Sequence, residues 1–308
     1  MFKLKTLVLV TLFIIPLTHF GQHTDQINSN RPGETMSAYS VGKSVFQVET
    51  GIYGIKENHS ILNYDANGYG VDITLRWGLF MEKLELIADL QYQSEKVNSA
   101  MSIVDKSALK KTVFGVKYLI FDPFKNYENK INVLSWKANH SFKWHQLIPA
   151  VSVFAGANLT FSNNPYYFSN QSSISPKAML ITQNHLGDGS WVLVTNTIAD
   201  YISTEYPSYN YAITLTKGFN DHWSGFIEDQ GIKSDFYSDA IVRGGAAYLI
   251  NKDMQIDASI SSSLKTTPSI LYGGIGFSWR YDVNYKEVKI GVETNKKANK
   301  RARKTKKR

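Results

Sequence analysis

Few residues in this chain could carry acyl-transfer chemistry. His222-Trp223-Ser224 sets an imidazole and a hydroxyl two residues apart, and an extended backbone puts both on one face, as a base-activated serine requires. A triad also needs a group to orient the imidazole, and no asparagine can be placed beside His222, so the pair reads as a turn histidine and a wall serine. His59, His140, His145 and His185 are scattered and lack the spacing of metal ligands. Gly187-Asp188-Gly189 is a tight turn rather than a phosphate loop, since no Gly-Lys-Ser/Thr follows. Glu57, Asp65 and Asp105 read as solvated acids in loops. The expectation is a chain with no catalytic residue, no metal and no cofactor.

Most other ionic residues recur at period two, so the elements that position them are strands. Val71, Ile73, Leu75 and Trp77 alternate with Asp72, Thr74 and Arg76; beyond a Gly-Leu-Phe-Met-Glu-Lys break, Leu84, Leu86, Ala88, Leu90 and Tyr92 alternate with Glu85, Ile87, Asp89, Gln91 and Gln93. Each arm therefore has one apolar and one polar face. The same parity gives strands at 45–53, 70–79, 84–93, 111–120, 149–160, 177–184, 190–200, 208–218, 222–230, 239–249, 253–261 and 270–280, twelve in all. Arms of about 9–11 residues match a tilted strand crossing a bilayer.

Residues 1–21 open with Lys3 and Lys5, continue through an apolar core from Leu7 to Leu17, and read as a secretory signal. No cysteine follows, so neither a lipid-attachment residue nor a disulfide framework is available. The apolar runs fall short of the roughly 18 residues a membrane helix needs, so an exported chain in a membrane must be there as a closed barrel. The net charge of +8 is local: nine cations lie in the tail and two in the signal, which leaves the remainder at −3. The tail cations are Lys296, Lys297, Lys300, Arg301, Arg303, Lys304, Lys306, Lys307 and Arg308. Export argues against a nucleic-acid partner and makes these residues candidates for docking to acidic envelope components.

An even strand count puts both termini on one side, the periplasm in an outer-membrane barrel. Residues 22–44, broken by Pro32 and Gly33, read as a periplasmic lead-in near or in the lumen, 45–280 as the barrel, and 281–308 as a basic periplasmic tail. Residues 54–69 and 94–110 are expected as external loops shaping the mouth, and 121–148 as a periplasmic excursion or a missed strand. Trp77, Trp191, Trp223 and Trp279 fall at periplasmic strand ends with outward parity, forming a membrane-interface girdle. Glu49, Asp72, Arg76, Glu85, Asp89, Lys117, Glu228, Arg243, Asp257 and Arg280 point inward as lumen-lining candidates, because a charge at mid-depth in lipid costs roughly 2–4 kcal/mol. The interior is expected to be polar.

Asp25-Gln26-Ile27-Asn28-Ser29-Asn30-Arg31-Pro32-Gly33-Glu34-Thr35-Met36-Ser37, with Phe46-Gln47-Val48-Glu49-Thr50-Gly51, resembles the opening of a Bacteroidetes outer-membrane family labelled transporter or MetA-pathway of phenol degradation. Ser135-Trp136-Lys137-Ala138-Asn139-His140, Leu147-Ile148-Pro149-Ala150-Val151-Ser152 and Gly273-Gly274-Ile275-Gly276-Phe277 are similar to later blocks of it. The resemblance implies a transmembrane antiparallel barrel that contacts membrane lipid and passes small solutes by diffusion; it carries over no substrate residues. The other expectation is an accessory barrel of an envelope assembly or secretion complex, docked through the tail and the 121–148 excursion.

Overall fold

The computed structural model describes residues 26–125, 127, 134–135, 143–168, 170–187, 189–235 and 237–282. The expected signal, the basic tail with Lys296 to Arg308, Trp136 and most of residues 126–142 lie outside the described residues.

Twelve antiparallel strands form the molecule: β1 (Val45–His59), β2 (Tyr64–Gly78), β3 (Leu84–Ser99), β4 (Ile103–Phe121), β5 (Ala150–Leu159), β6 (Ile174–Leu186), β7 (Trp191–Asp200), β8 (Ser208–Gly218), β9 (Trp223–Ser234), β10 (Ser238–Asn251), β11 (Met254–Ser263) and β12 (Ser269–Asp282). Each pairs with its sequence neighbours, and β12 closes on β1 through a ladder from Val45↔Asp282 to Asn58↔Ser269. Closure leaves no sheet edge to be satisfied by lipid, which is why this alternation can cross a membrane. Among the described residues no helix is long and apolar enough to do so. β4 ends at Phe121 and pairs directly with β5, and among the described residues of the 121–148 connection there is one short 3-10 turn at Trp144–Leu147 and no strand.

The strands agree with the parity rule and exceed it on one side. β1 to β4 are 15, 15, 16 and 19 residues long, so 54–59, 64–69, 94–99 and 103–110 are strand, and only 60–63 and 100–102 are left as connections. The expected mouth loops at 54–69 and 94–110 are therefore two tall hairpins. Fifteen residues at ~3.3 Å each, tilted by roughly 40°, reach about 38 Å, well past an apolar band of about 25 Å. Beyond that band water wets both faces, nothing requires an apolar side, and alternation disappears. Cross-strand polar pairs hold the hairpins instead, including the opposed Lys96↔Asp105 and Glu95↔Lys106 and a 2.6 Å bond from Asn58 Nδ2 to Asp65 Oδ1.

The tall part of β4 has no β5 partner, because their ladder stops at Val113↔Asn158. The β5–β6 connection covers this free edge: Asn164 Nδ2 donates to the Leu109 carbonyl (2.7 Å), Tyr167 Oη to that of Lys110 (2.9 Å), and Tyr166 Oη to that of Lys106 (3.3 Å). Side-chain donors thus take the carbonyls that a neighbouring strand would have taken.

The outer wall is apolar, with Ile52, Ile227, Leu215, Ile213, Ile256, Ile260 and Ile275 exposed. Away from the rims, Asp229 breaks the pattern. Asp229 follows the inward Glu228 and so faces out, in register with Ile213 and Val242, about 20 Å along β9 from Trp223 at ~3.3 Å per residue. Its carboxylate accepts a 2.9 Å bond from Tyr211 Oη on the same wall.

Candidate functional site in the barrel lumen

The lead-in segment, Gln26 to Ser44, occupies the lumen near the rim where β1 begins. It has no regular secondary structure, so its backbone groups must find partners elsewhere; the inward polar residues of the wall supply them. Every strand contributes. Gln47 and Glu49 (β1) bind Asn28 O and Asn30 N, and Arg76 (β2) binds Asn28 O at 2.7 Å. Glu85 (β3) accepts from Val41 N, Lys117 (β4) donates to the carbonyls of Ser37 and Tyr39, and Ser152 (β5) donates to that of Ala38. Gln183 (β6) accepts from Ser37 Oγ and Ala38 N, while Asn196 (β7) binds both N and O of Met36, as a neighbouring strand would. Thr214 (β8) meets Thr35, Glu228 (β9) accepts from Glu34 N and Thr35 N, and Arg243 (β10) lies 3.6 Å from Glu34. Asp257 (β11) pairs with Arg31 at 3.2 Å, and Ser278 (β12) meets Ser29 at 2.8 Å.

Arg31 is the segment's deepest anchor, lying between Asp257 and Asp72 and over the glycines Gly51 and Gly276, where any Cβ would collide with its guanidinium. Burial works against its charge, but Asp257 and then Asp72 outweigh that, and its pKa stands above the ordinary value. At the rim, Tyr39 donates to Asp122 Oδ1 (3.4 Å) and packs on His185, which meets Phe124; Phe124 and Tyr127 flank His145 in turn. Burial and then Asp122 push the Tyr39 phenol pKa upward.

Eight of the ten inward candidates divide between two tasks, and Asp89 and Arg280 stand apart. Arg76 joins Glu49 (2.9 Å) to Glu85 (2.6 Å), and Lys117 reaches Glu85 at 3.1 Å, all four fully buried beneath the segment. Asp72, Asp257, Glu228 and Arg243 grip residues 31–35. Asp89 pairs with Lys111 at 2.5 Å farther from that rim, and Arg280 approaches Asp282 at 3.8 Å at the rim itself. Parity predicts a polar interior, and the lumen departs from it on one side. Ile87, Val113, Phe154, Met179 and Ile181 form an apolar sector on β3 to β6 and pack against Met36 and Ala38 of the segment. Parity counts charges facing in; it cannot tell that a lumen filled by chain also accepts apolar contacts.

Sequence reasoning missed Arg31, Lys110 and Lys111. The two lysines are neighbours, and strict alternation would send one into lipid. A bulge prevents this: Gln91 pairs with Lys111 and Tyr92 with Leu109, leaving Lys110 as the extra residue, and both lysines line the lumen. Adjacent lysines inside a strand pattern were the available signal.

Above the segment the lumen opens into a cavity of about 360 Å³. Its floor is Asn30 to Glu34, and its walls carry Tyr53, Tyr272, Lys110, Lys111, Lys177 and Arg243 with apolar residues between. Lys177 pairs with Asp200 at 2.5 Å and Arg243 with Glu228 at 2.6 Å. Among the described residues no cluster of three or more His, Asp or Glu could hold a metal. His222 stacks on the outward Tyr248 at 5.8 Å, whereas Ser224 is paired with the inward Gly218 and Ala247. Trp77, Trp191, Trp223 and Trp279 stand together at the rim where β1 begins, on the outer wall and 37–49% exposed.

A closed twelve-stranded barrel with an apolar outer wall and an ionic, chain-filled lumen is an outer-membrane β-barrel. The chain belongs to the family described as "Putative MetA-pathway of phenol degradation", whose model matches residues 29–281. No curated protein matches the sequence. Among solved structures it is similar to an outer membrane channel from Pseudomonas putida F1, with 8% identity and a TM-score of 0.55 over 83% of this chain and 100% of that one. The translocator domain of autotransporter NalP from Neisseria meningitidis gives 8% identity and a TM-score of 0.47 over 78% and 89%. The CymD monoaromatic hydrocarbon channel gives 10% and 0.41 over 79% and 90%.

Proposed function

We propose that this protein is an outer-membrane channel for small solutes whose lumen is gated by its own N-terminal segment. The observation that carries this reading is the lumen itself: a solute-sized cavity, open to charged and aromatic side chains, ends on a floor of chain rather than wall. The rim where β1 begins and β12 ends is the periplasmic one, the four indoles mark the interface there, and the tall β1–β4 hairpins stand outside the cell. Passage is by diffusion once the segment shifts. The one acyl-transfer pair that the sequence offered is not assembled, since His222 stacks on the outward Tyr248 and Ser224 is paired with inward positions.

A second reading is favoured by the same plug. A barrel whose filling is held by all twelve strands suits a non-conducting accessory subunit, docked to envelope partners through its periplasmic elements and the cations from Lys296 to Arg308. Planar-bilayer recording on the purified full chain separates the two. Discrete conductance steps support the channel. A silent barrel that co-purifies with other envelope proteins until residues 293–308 are deleted supports the accessory role and contradicts the channel.

A further inference from the structure

We propose that the outer half of the lumen is a binding site for a small organic anion with an apolar body, and that Lys110 recognises its charged end. This deepens the channel reading, on which it rests for the route of entry.

The argument begins with the bulge. Without it, Lys110 would face lipid; with it, the side chain enters the cavity beside the inward Lys111. The arrangement is braced, since Asn164 and Tyr167 of the β5–β6 connection bind the carbonyls of Leu109 and Lys110. The two lysines are not equivalent. Lys111 is charge-paired with Asp89 at 2.5 Å and lies 3.9 Å from Glu34, as Lys177 is paired with Asp200 and Arg243 with Glu228. Among the described residues Lys110 has no carboxylate within 4 Å. Its one hydrogen-bond partner is the neutral Gln93 Oε1 at 2.9 Å, which leaves two of three ammonium donors unused. The nearest acids on this wall are engaged elsewhere, Glu95 by Gln93 Nε2 (2.7 Å) and Glu57 by Tyr64 Oη (2.5 Å).

What surrounds the free donors fixes the rest of the ligand. The Lys110 ammonium lies 5.8 Å from the Tyr272 ring centroid, and Tyr53 meets Tyr272 edge-on at 6.1 Å. Met179, Ile198, Ile232 and Ile241 line the same cavity. A ligand charged at one end and apolar along its body satisfies both surfaces, and 360 Å³ lies within the roughly 300–1,000 Å³ of small-molecule sites.

Equilibrium titration of the full chain in detergent tests this with three probes: benzoate, the uncharged isostere benzamide, and acetate, a head without a body. Benzoate should bind, with benzamide and acetate each roughly tenfold weaker or worse, as loss of a charged hydrogen bond or of apolar contact implies. Lys110→Met should weaken benzoate by about the same factor, and Lys110→Arg should restore it. Heat-modifiable gel migration confirms that each variant is a folded barrel. The site is overturned if wild type binds none of the probes, if Lys110→Met binds benzoate unchanged, or if acetate matches benzoate. Binding is read without conductance: a chain that conducts but binds nothing loses only this site, and one that binds but never conducts loses only the channel reading.

Discussion

Arg31 shows why single residues in the lumen matter more than their number. Its guanidinium lies between Asp72 and Asp257, and Asp257 is fully buried. Arg31→Leu would leave two carboxylates facing each other without a cation, a loss of about 3 kcal/mol for a buried pair broken from one side. We expect the segment to loosen first. The amides of Asn30, Glu34 and Val41, held by Glu49, Glu228 and Glu85, should then exchange with solvent roughly a hundredfold faster. Unchanged exchange would mean that the remaining contacts hold the segment without Arg31. Parity locates wall charges because alternation is local. Arg31 was not legible, since its partner Asp257 lies 226 positions away and nothing in Asn-Arg-Pro-Gly-Glu announces which acid it meets.

At the scale of strands, twelve were legible because lipid imposes one apolar face on each. Their true length in β1–β4 was not, because water imposes nothing on either. Two elements make predictions. In β4, deleting Lys110 brings Leu109 and Lys111 next to each other, so that the partners Tyr92 and Gln91 meet a regular ladder. Both flanking registers survive, and the deletion should fold with stability within about 1 kcal/mol of wild type, as a bulge carries no ladder bonds of its own. Failure to form a heat-modifiable barrel would show that the bulge is needed for closure. In β9, Asp229 stands among Ile213, Val242 and Ile227 on the outer wall. Asp229→Leu combined with Tyr211→Phe should stabilise the folded barrel in lipid vesicles by about 1–2 kcal/mol, since it removes a carboxylate from an apolar belt. Destabilisation instead would reveal a partner for that carboxylate in the membrane.

For the whole molecule, the account rests on a segment that fills the barrel and must yield for solutes to pass. The barrel was legible in the chain; the filling was only an expectation, because an irregular segment has no period to read. The native sequence contains no cysteine, so a lock can be introduced cleanly. The hydroxyls of Ser29 and Ser278 are 2.8 Å apart, joining the segment to the closing strand β12. Conductance of Ser29→Cys/Ser278→Cys in planar bilayers, oxidised and then reduced, is the most direct measurement. A gated channel predicts silence when the disulfide is closed and wild-type steps after reduction; steps of full size in the oxidised form would contradict it.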